Sequence, residues 1–382
     1  MKKRIGQIGI LLISAGYFLA LTYLFWAQAN YHDGTYQADL YAHMLLGVSN
    51  TYRYNLVYRI LGFLWQHDGS ARLIGVFLAG VCVLTVYWTK RLIVKFYPNM
   101  GMKAYYLAYM LNFCMSLYFP LLNKYHYLSN IGPLLLHNST YICMKLCLLI
   151  MLEQYIDLKR QLLEHIDWKK YILFILSMIL LILTKPNFFL CFAPAVFIEL
   201  ILILCRKDGL NAVFKWKRVL LAVCTTIPVF LIMIYQSVVM FSDGGSKITI
   251  DFGYALFSWA EYPVIGIIQS LAFPLYILVT NFREVKKDEW YRLSITTAGF
   301  GLFEYLFLIE SGVRLNDLNW IWGYAGALFM LYIASFLKWY EIRKEKNRLV
   351  VITNYIPVIL LTWHFLSGVD YFIVLLTGGK FF

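Results

Sequence analysis

The sequence predicts an all-α polytopic membrane protein, and three observations carry that prediction. Of 382 residues, 61% are hydrophobic and only 14% charged, against about a quarter charged in a soluble domain. The apolar residues gather in runs of about 20, the length that crosses hydrocarbon as a helix. Backbone groups in lipid must bond within the chain, so such runs are helices. The basic residues fall in short blocks between the runs. The net charge of +13 therefore reads as membrane topology and not as a nucleic-acid surface.

Taken in order, eleven spans are expected, at 5–27, 73–94, 104–120, 138–156, 170–184, 187–205, 218–240, 263–281, 293–310, 320–337 and 349–367. MKKR ahead of the first run looks like a signal-peptide start. The run is long and no small-x-small site ends it, so an uncleaved first span is expected. With the N-terminus in the cytoplasm, the inner segments are 1–4, 90–103, 157–170, 206–218, 282–292 and 338–348. They hold 25 of the 34 Lys and Arg. That bias sets the orientation in the cell membrane, and an odd number of spans puts the C-terminal tail outside. The whole chain, 1–382, reads as one transmembrane domain. Residues 170–205 are either two short spans turning at Lys185-Pro186-Asn187 or one kinked helix.

The first outer loop, 28–72, is long and apolar. Within it, residues 38–50 have a helical pattern. Asp39, His43 and Asn50 fall on one side of the wheel with Leu46, and Tyr41, Met44, Leu45 and Val48 on the other. This predicts an amphipathic helix lying along the membrane surface. The other outer segments are 121–137, 241–262 and 311–319. Seven cysteines sit in or beside apolar runs, with no CxxC pair or His/Cys cluster. Neither a disulfide framework nor a zinc site is indicated. There is no P-loop, GxGxxG, HExxH or GxSxG, and the cytoplasmic segments are too short to hold a nucleotide domain.

Four groups of outward polar residues are not explained by topology. Asp33, Asp39 and His43 come first. A carboxylate beside lipid is a candidate base, and His43, one turn after Asp39, is placed to orient it, bind phosphate or share a metal. An ordinary polar helix face is the plain alternative. His126, His137 and Asn138 follow. A His-Asn pair at a helix start caps the helix and offers donors to an anion, with Lys145 two turns on or merely snorkelling. Asn138-Ser139-Thr140 also matches a glycosylation sequon. Lys185 lies between two apolar runs, where a charge is costly and points to function, unless it marks an ordinary outer turn. Lastly, Glu310, Arg314, Asp317 and Asn319 put a planar guanidinium fork on the outer side, with Glu310 at i,i+4 as its structural partner. Trp320, Trp322 and Tyr324 read as interfacial aromatics that also have faces for stacking on sugars.

QADLYAHM (37–44), LLHNSTYICMK (135–145), LTKPNFFLCFAPA (183–195) and ESGVRLNDLNWIWGY (310–324) occur in an ordered set over most of the chain. With the long first outer loop and its surface helix, they resemble the GT-C superfamily of polytopic membrane glycosyltransferases. The resemblance implies inverting transfer of a sugar from an isoprenoid-phosphate-linked donor on the non-cytoplasmic face. The acceptor would be a cell-envelope glycan, lipid or protein. It also implies a first-loop Asp as base or metal holder, the place matched by Asp39, with Asp33 as alternate. A paired-acid DxD or DE motif, frequent in that superfamily, is absent, so a divalent metal is a candidate cofactor without a ligand motif. On this reading Lys185 and Arg314 hold the donor phosphate, with His137 or Lys145 helping, while Asn138, Glu310 and Asn319 contact substrate. Two rivals stand beside it. One is a polysaccharide polymerase led by Arg314 and His137. The other is a non-enzymatic transporter or flippase of lipid-linked sugars, for which no repeat or buried charge series speaks.

Overall fold

The computed structural model describes residues 2–31, 33–127, 130–242, 245–258, 261–345 and 351–380. The ends of the expected segments 1–4, 241–262, 338–348 and 349–367 therefore lie partly outside the described residues. The chain is mostly helical. Among the described residues, seven helical segments are long and apolar enough to cross a membrane.

The first crossing is α1 (Lys2–Asn30). The loop expected on the outer side, 28–72, holds two helices, α2 (Leu40–Ser49) and α3 (Leu56–Asp68), where one was expected. Asn55 caps α3 by accepting from the Val57 and Tyr58 amides at 3.0 and 3.1 Å. The two helices close tightly because Gly47 and Gly62 meet face to face. A Cβ on Gly47 would lie 2.0 Å from the Tyr58 carbonyl oxygen. The surface reading of α2 needs one correction. His43 and Met44 are both buried, while Tyr41, Leu45 and Val48 are exposed. The helix is clamped onto the core along the His43–Met44 edge and meets its surroundings along the opposite one.

Next come α4 (Arg72–Phe96) and α5 (Lys103–Asn112). The span expected at 104–120 is corrected here, because the helix ends at Asn112. Residues beyond it run buried but not helical. Their backbone groups bond across the molecule instead. The Met115 amide donates to the His364 carbonyl (3.0 Å), the Leu117 amide to the Gln269 carbonyl (3.3 Å) and the Tyr118 amide to Ser367 Oγ (3.0 Å). Irregular backbone at membrane depth is tolerated where protein supplies its partners. The segment leading to His137 is buried beside it, and the Pro133 carbonyl accepts from Tyr141 Oη at 2.8 Å.

Helix α6 (Ser139–Gln161) is followed by α7 (Trp168–Thr184) and α8 (Asn187–Cys205). The ambiguity over 170–205 resolves as two helices. Lys185 is extended (φ −164°, ψ 116°) and Pro186 begins the turn of α8. Lys185 sits at the start of α6 on Thr140, while Phe174 and Phe192 both pack on Tyr155 far along it. So α7 and α8 run in opposite directions against α6. The span expected at 218–240 is broken. It comprises α9 (Ala212–Cys224) and α10 (Ile227–Met240), with Pro228 in the first turn of the second. That is where a residue without an amide hydrogen costs least.

Strand β1 (Ile248–Ile250) pairs antiparallel with β2 (Leu308–Glu310), in register Ile248↔Glu310 and Ile250↔Leu308. Between them lie α11 (Tyr254–Phe257), α12 (Pro263–Thr280), α13 (Phe282–Val285) and α14 (Glu289–Phe307). The chain closes with α15 (Ile321–Glu345) and α16 (Val351–Leu376). Helix α15 is buried on every side from Ile321 to Lys338, as befits a helix apolar all round, and it is the central pillar.

The two ends of the bundle differ. One carries ion pairs that tie helix to helix: Arg91–Glu153 (2.6 Å), Lys95–Asp157 (2.6 Å), Lys159–Glu199 (2.5 Å), Arg292–Glu199 (3.5 Å) and Lys338–Asp288 (3.4 Å). The other holds a cavity.

Candidate functional site

The cavity occupies about 450 Å³ and is lined by residues from the segments expected on the outer side, apart from 241–262 and the C-terminal tail. Asp39 and His43 come from α2, Tyr127, His137 and Asn138 from the chain before α6, and Lys185 from the α7–α8 corner. Arg314, Asp317, Asn319 and Trp322 come from the chain entering α15.

Its organiser is the run His137-Asn138-Ser139-Thr140. Four consecutive residues reach four neighbours. The His137 carbonyl accepts the Asp39 amide at 2.9 Å. Asn138 caps α6 by accepting from the Tyr141 amide (2.9 Å), and its Nδ2 donates to Asp39 Oδ2 at 2.6 Å. Ser139 Oγ lies 2.7 Å from His43 Nδ1. Thr140 Oγ1 donates to Asn138 Oδ1 at 2.7 Å and accepts from Lys185 Nζ at 3.0 Å. A single bonded chain thus links the ammonium of Lys185 to the carboxylate of Asp39.

Asp39 occupies the N-cap position of α2, yet its side chain caps nothing. An Asp there ordinarily satisfies an orphan amide, worth about 1 kcal/mol. Here the carboxylate is turned to the cavity instead. Oδ2 is held by Asn138, which leaves Oδ1 to take a proton.

Lys185 is buried and forms no ion pair among the described residues. Thr140 takes one of its three N–H groups, and its ammonium stands 4.8 Å above the Trp322 ring. Burial pushes its pKa down to about 8, with the nearby Asp39 charge opposing the shift. A buried cation without a fixed carboxylate is costly unless an anion arrives to compensate it.

Arg314 is fixed differently. Its Nε donates to Glu310 Oε2 at 2.5 Å, Asp317 lies 3.7 Å away, and its Nη1 is 3.5 Å from Tyr52 Oη. Glu310 also accepts from Asn319 Nδ2 at 3.0 Å. The i,i+4 pair expected from sequence is present, held at the end of β2 and not on an α-helix. Asn319 in turn gives its carbonyl to Asn187 Nδ2 at 2.8 Å.

Both cavity histidines are buried. Desolvation pushes His43 and His137 down to about 4, with Asp39 opposing it in each case. Burial thus favours the neutral imidazole, which still offers hydrogen bonds, in both. His137 Nδ1 lies 3.1 Å from Tyr371 Oη.

Three sequence candidates lie elsewhere. Asp33 is exposed and closes a turn by accepting from the Thr35 amide (3.0 Å) and hydroxyl (2.5 Å). Lys145 is buried in the bundle, donating to the Pro133 carbonyl at 3.3 Å with its ammonium 3.9 Å from the Phe329 ring centre. It pins the irregular segment and does not line the cavity. His126 pairs with Asp370 at 2.8 Å and stacks on Tyr118. Asn138 is buried, which removes the sequon reading. Trp322 is buried too, a cavity wall beside Tyr127 and His137 and no part of an interfacial belt.

A divalent metal does not fit these side chains. Among the described residues no three His, Cys, Asp or Glu converge to hold one, and Glu310 is already committed to Arg314 and Asn319.

Sequence reasoning missed Ser139 and Thr140, and the tyrosines Tyr52, Tyr58 and Tyr127 that wall the cavity. The YRYNLVY run at 52–58 carried the signal, with aromatics spaced around an N-cap asparagine. A scan against protein-family models gives no match to this chain, and a search of curated proteins gives none.

Proposed function

We propose that this chain is a membrane glycosyltransferase, GT-C-like in its plan. It moves a sugar from an isoprenoid-phosphate-linked donor to an acceptor of the cell envelope on the non-cytoplasmic face. The observation that carries the reading is the pairing, in one cavity, of a buried cation with no ion-pair partner among the described residues and a carboxylate withheld from its helix cap. The first suits an anionic group of substrate and the second suits removal of a proton.

On this reading the chain crosses the membrane eleven times with its N-terminus in the cytoplasm. Helix α5 and the irregular chain behind it make the third crossing. The donor phosphate rests on Lys185 and Arg314, and its isoprenyl tail lies between helices. Asp39 takes the proton of the acceptor hydroxyl as that oxygen attacks the anomeric carbon. The bond from the anomeric carbon to the phosphate oxygen breaks, and its electron pair leaves with the phosphate. Lys185 and Arg314 stabilise the charge that develops there, so no strong acid is required. The proton on Asp39 passes to solvent. Asn138 and Ser139 are positioning residues, holding Asp39 and His43.

The test is transfer by reconstituted protein supplied with isoprenoid-phosphate sugars, read by mass spectrometry of the products. Asp39→Asn is expected to abolish transfer and Arg314→Ala to weaken it. Full transfer by Asp39→Asn would overturn the base. Loss with Arg314→Ala alone would favour the polymerase reading.

A further inference from the structure

The polar cavity continues behind Lys185. A second chamber of about 250 Å³ shares Tyr52, Tyr58, Lys185, Arg314 and Asn319 with the first. Its far wall turns apolar, with Leu190, Met233, Met240 and Phe241. At Leu190 a third cavity of about 380 Å³ takes over, walled by α6, α7, α8, α9 and α10. The continuity holds on two helices. Leu190 of α8 lines both spaces, and on α10 Phe230 of the third cavity stands one turn from Met233 of the second.

This third cavity is built for hydrocarbon. Thr225 and Thr226 turn their hydroxyls back onto the Ala222 and Val223 carbonyls, both at 2.6 Å. Lys159, at its far end, is bound to Glu199 (2.5 Å) and Glu289 (3.3 Å). The remaining lining is almost wholly apolar. The break between α9 and α10 opens the space, and α9 touches α6 and α8 through the separate small cluster of Leu162, Leu200 and Val219.

Length decides what fills it. From Leu190 to Ile203, both lining residues, the wall follows α8 for about 20 Å at 1.5 Å per residue. It starts already one chamber below the phosphate position. A phospholipid acyl chain anchored at the same surface fills its own leaflet, about 15 Å deep, half the hydrocarbon thickness. The groove continues beyond that depth to the end of the bundle where the ion pairs lie.

The geometry points to a gauge for tail length: with its phosphate on Lys185, the substrate's hydrocarbon tail passes through the second chamber and along α8 beyond the bilayer midplane, so only a tail longer than one leaflet fills the groove. This rests on the lipid-phosphate reading above. Ordinary phospholipids, though abundant and anionic, are rejected because their chains leave the far half of the groove empty.

The probes are sugar-free isoprenyl phosphates of about two and about eleven isoprene units, bound to full-length protein in detergent. The long probe is expected to bind at least about tenfold tighter, since each buried methylene adds to affinity. Ala193→Trp and Ala222→Trp narrow the groove below Leu190. Each is expected to erase the advantage of the long probe and leave the short one unchanged, which also shows that the variant is folded. A photoreactive group placed part-way along the long tail, about five or six isoprene units from the phosphate, is expected to label residues near Leu162 and Ile203. Equal binding of both probes, or labelling confined to residues near Leu190, overturns the gauge and leaves the lipid-phosphate reading standing. Failure of both probes to bind at all overturns that reading as well.

Discussion

Asn138 spends both ends of one carboxamide. Its oxygen caps α6 and its nitrogen holds Asp39 at 2.6 Å. Replacing it with Ala is expected to cost about 1 kcal/mol through the lost cap. It should also lower kcat about 10- to 100-fold, the range seen when an outer partner of a site residue is lost, with KM less affected. Steady-state kinetics beside thermal unfolding separates the two effects. Lys185 gives a pH signature. Its pKa is lowered by burial to about 8, so the ammonium is present below that pH and lost as pH rises through it. Binding of an isoprenyl phosphate is therefore expected to weaken above about pH 8, and Lys185→Met to bind weakly at every pH. Affinity unchanged between pH 7 and about 9 would remove Lys185 from the anion site. At this scale the sequence marks charges better than their supports. Asp39 and Lys185 stand out because charge beside lipid is rare. Ser139 and Thr140 look like a sequon, because a hydroxyl at a helix start is the same in the sequence whether it faces water or a buried histidine.

Among the elements, the buried irregular chain after Asn112 is the least expected. Hydropathy cannot tell an apolar helix from an apolar extended segment that finds its hydrogen bonds elsewhere. Those bonds come from α12 and α16, more than a hundred residues away in sequence. The close approach depends on Gly368, where a Cβ would lie 1.5 Å from the Phe113 carbonyl oxygen. Gly368→Ala is expected to destabilise the protein by roughly 3 kcal/mol, within the class of strong steric disruptions, as read by thermal unfolding in detergent. An unchanged midpoint would mean that the segment packs otherwise. The α7–α8 corner was legible in part. Lys185-Pro186 marks a break, but only the packing of Phe174 and Phe192 on opposite sides of the corner against Tyr155 makes it a reversal.

For the whole molecule, the basic blocks between apolar runs foretold an asymmetric bundle: ion pairs that tie helix to helix lie at one end while the cavity opens at the other. Glu199 is 5% exposed and held by Lys159 and Arg292. Lys159→Met strips a buried carboxylate of its closest partner and is expected to cost about 3 kcal/mol. Orientation is checked separately by single cysteines at Asp33 and Lys207, both exposed. A membrane-impermeant thiol reagent on intact cells is expected to label the first and spare the second. The reverse pattern would turn the molecule over and place the cavity in the cytoplasm.

The run 137–140 has a further consequence for how such a chain can vary. His137 and Asn138 hold Asp39, Ser139 meets His43 and Thr140 meets Lys185, and successive positions on α6 are about 100° apart. Inserting or deleting a single residue ahead of α6 would swing all four attachments out of register together, whereas the exposed turn at 33–35 could lengthen with little effect. Tolerance to insertions should therefore fall to nothing at the start of α6. A library of single-residue insertions, sorted by surface expression and by product, would draw that boundary.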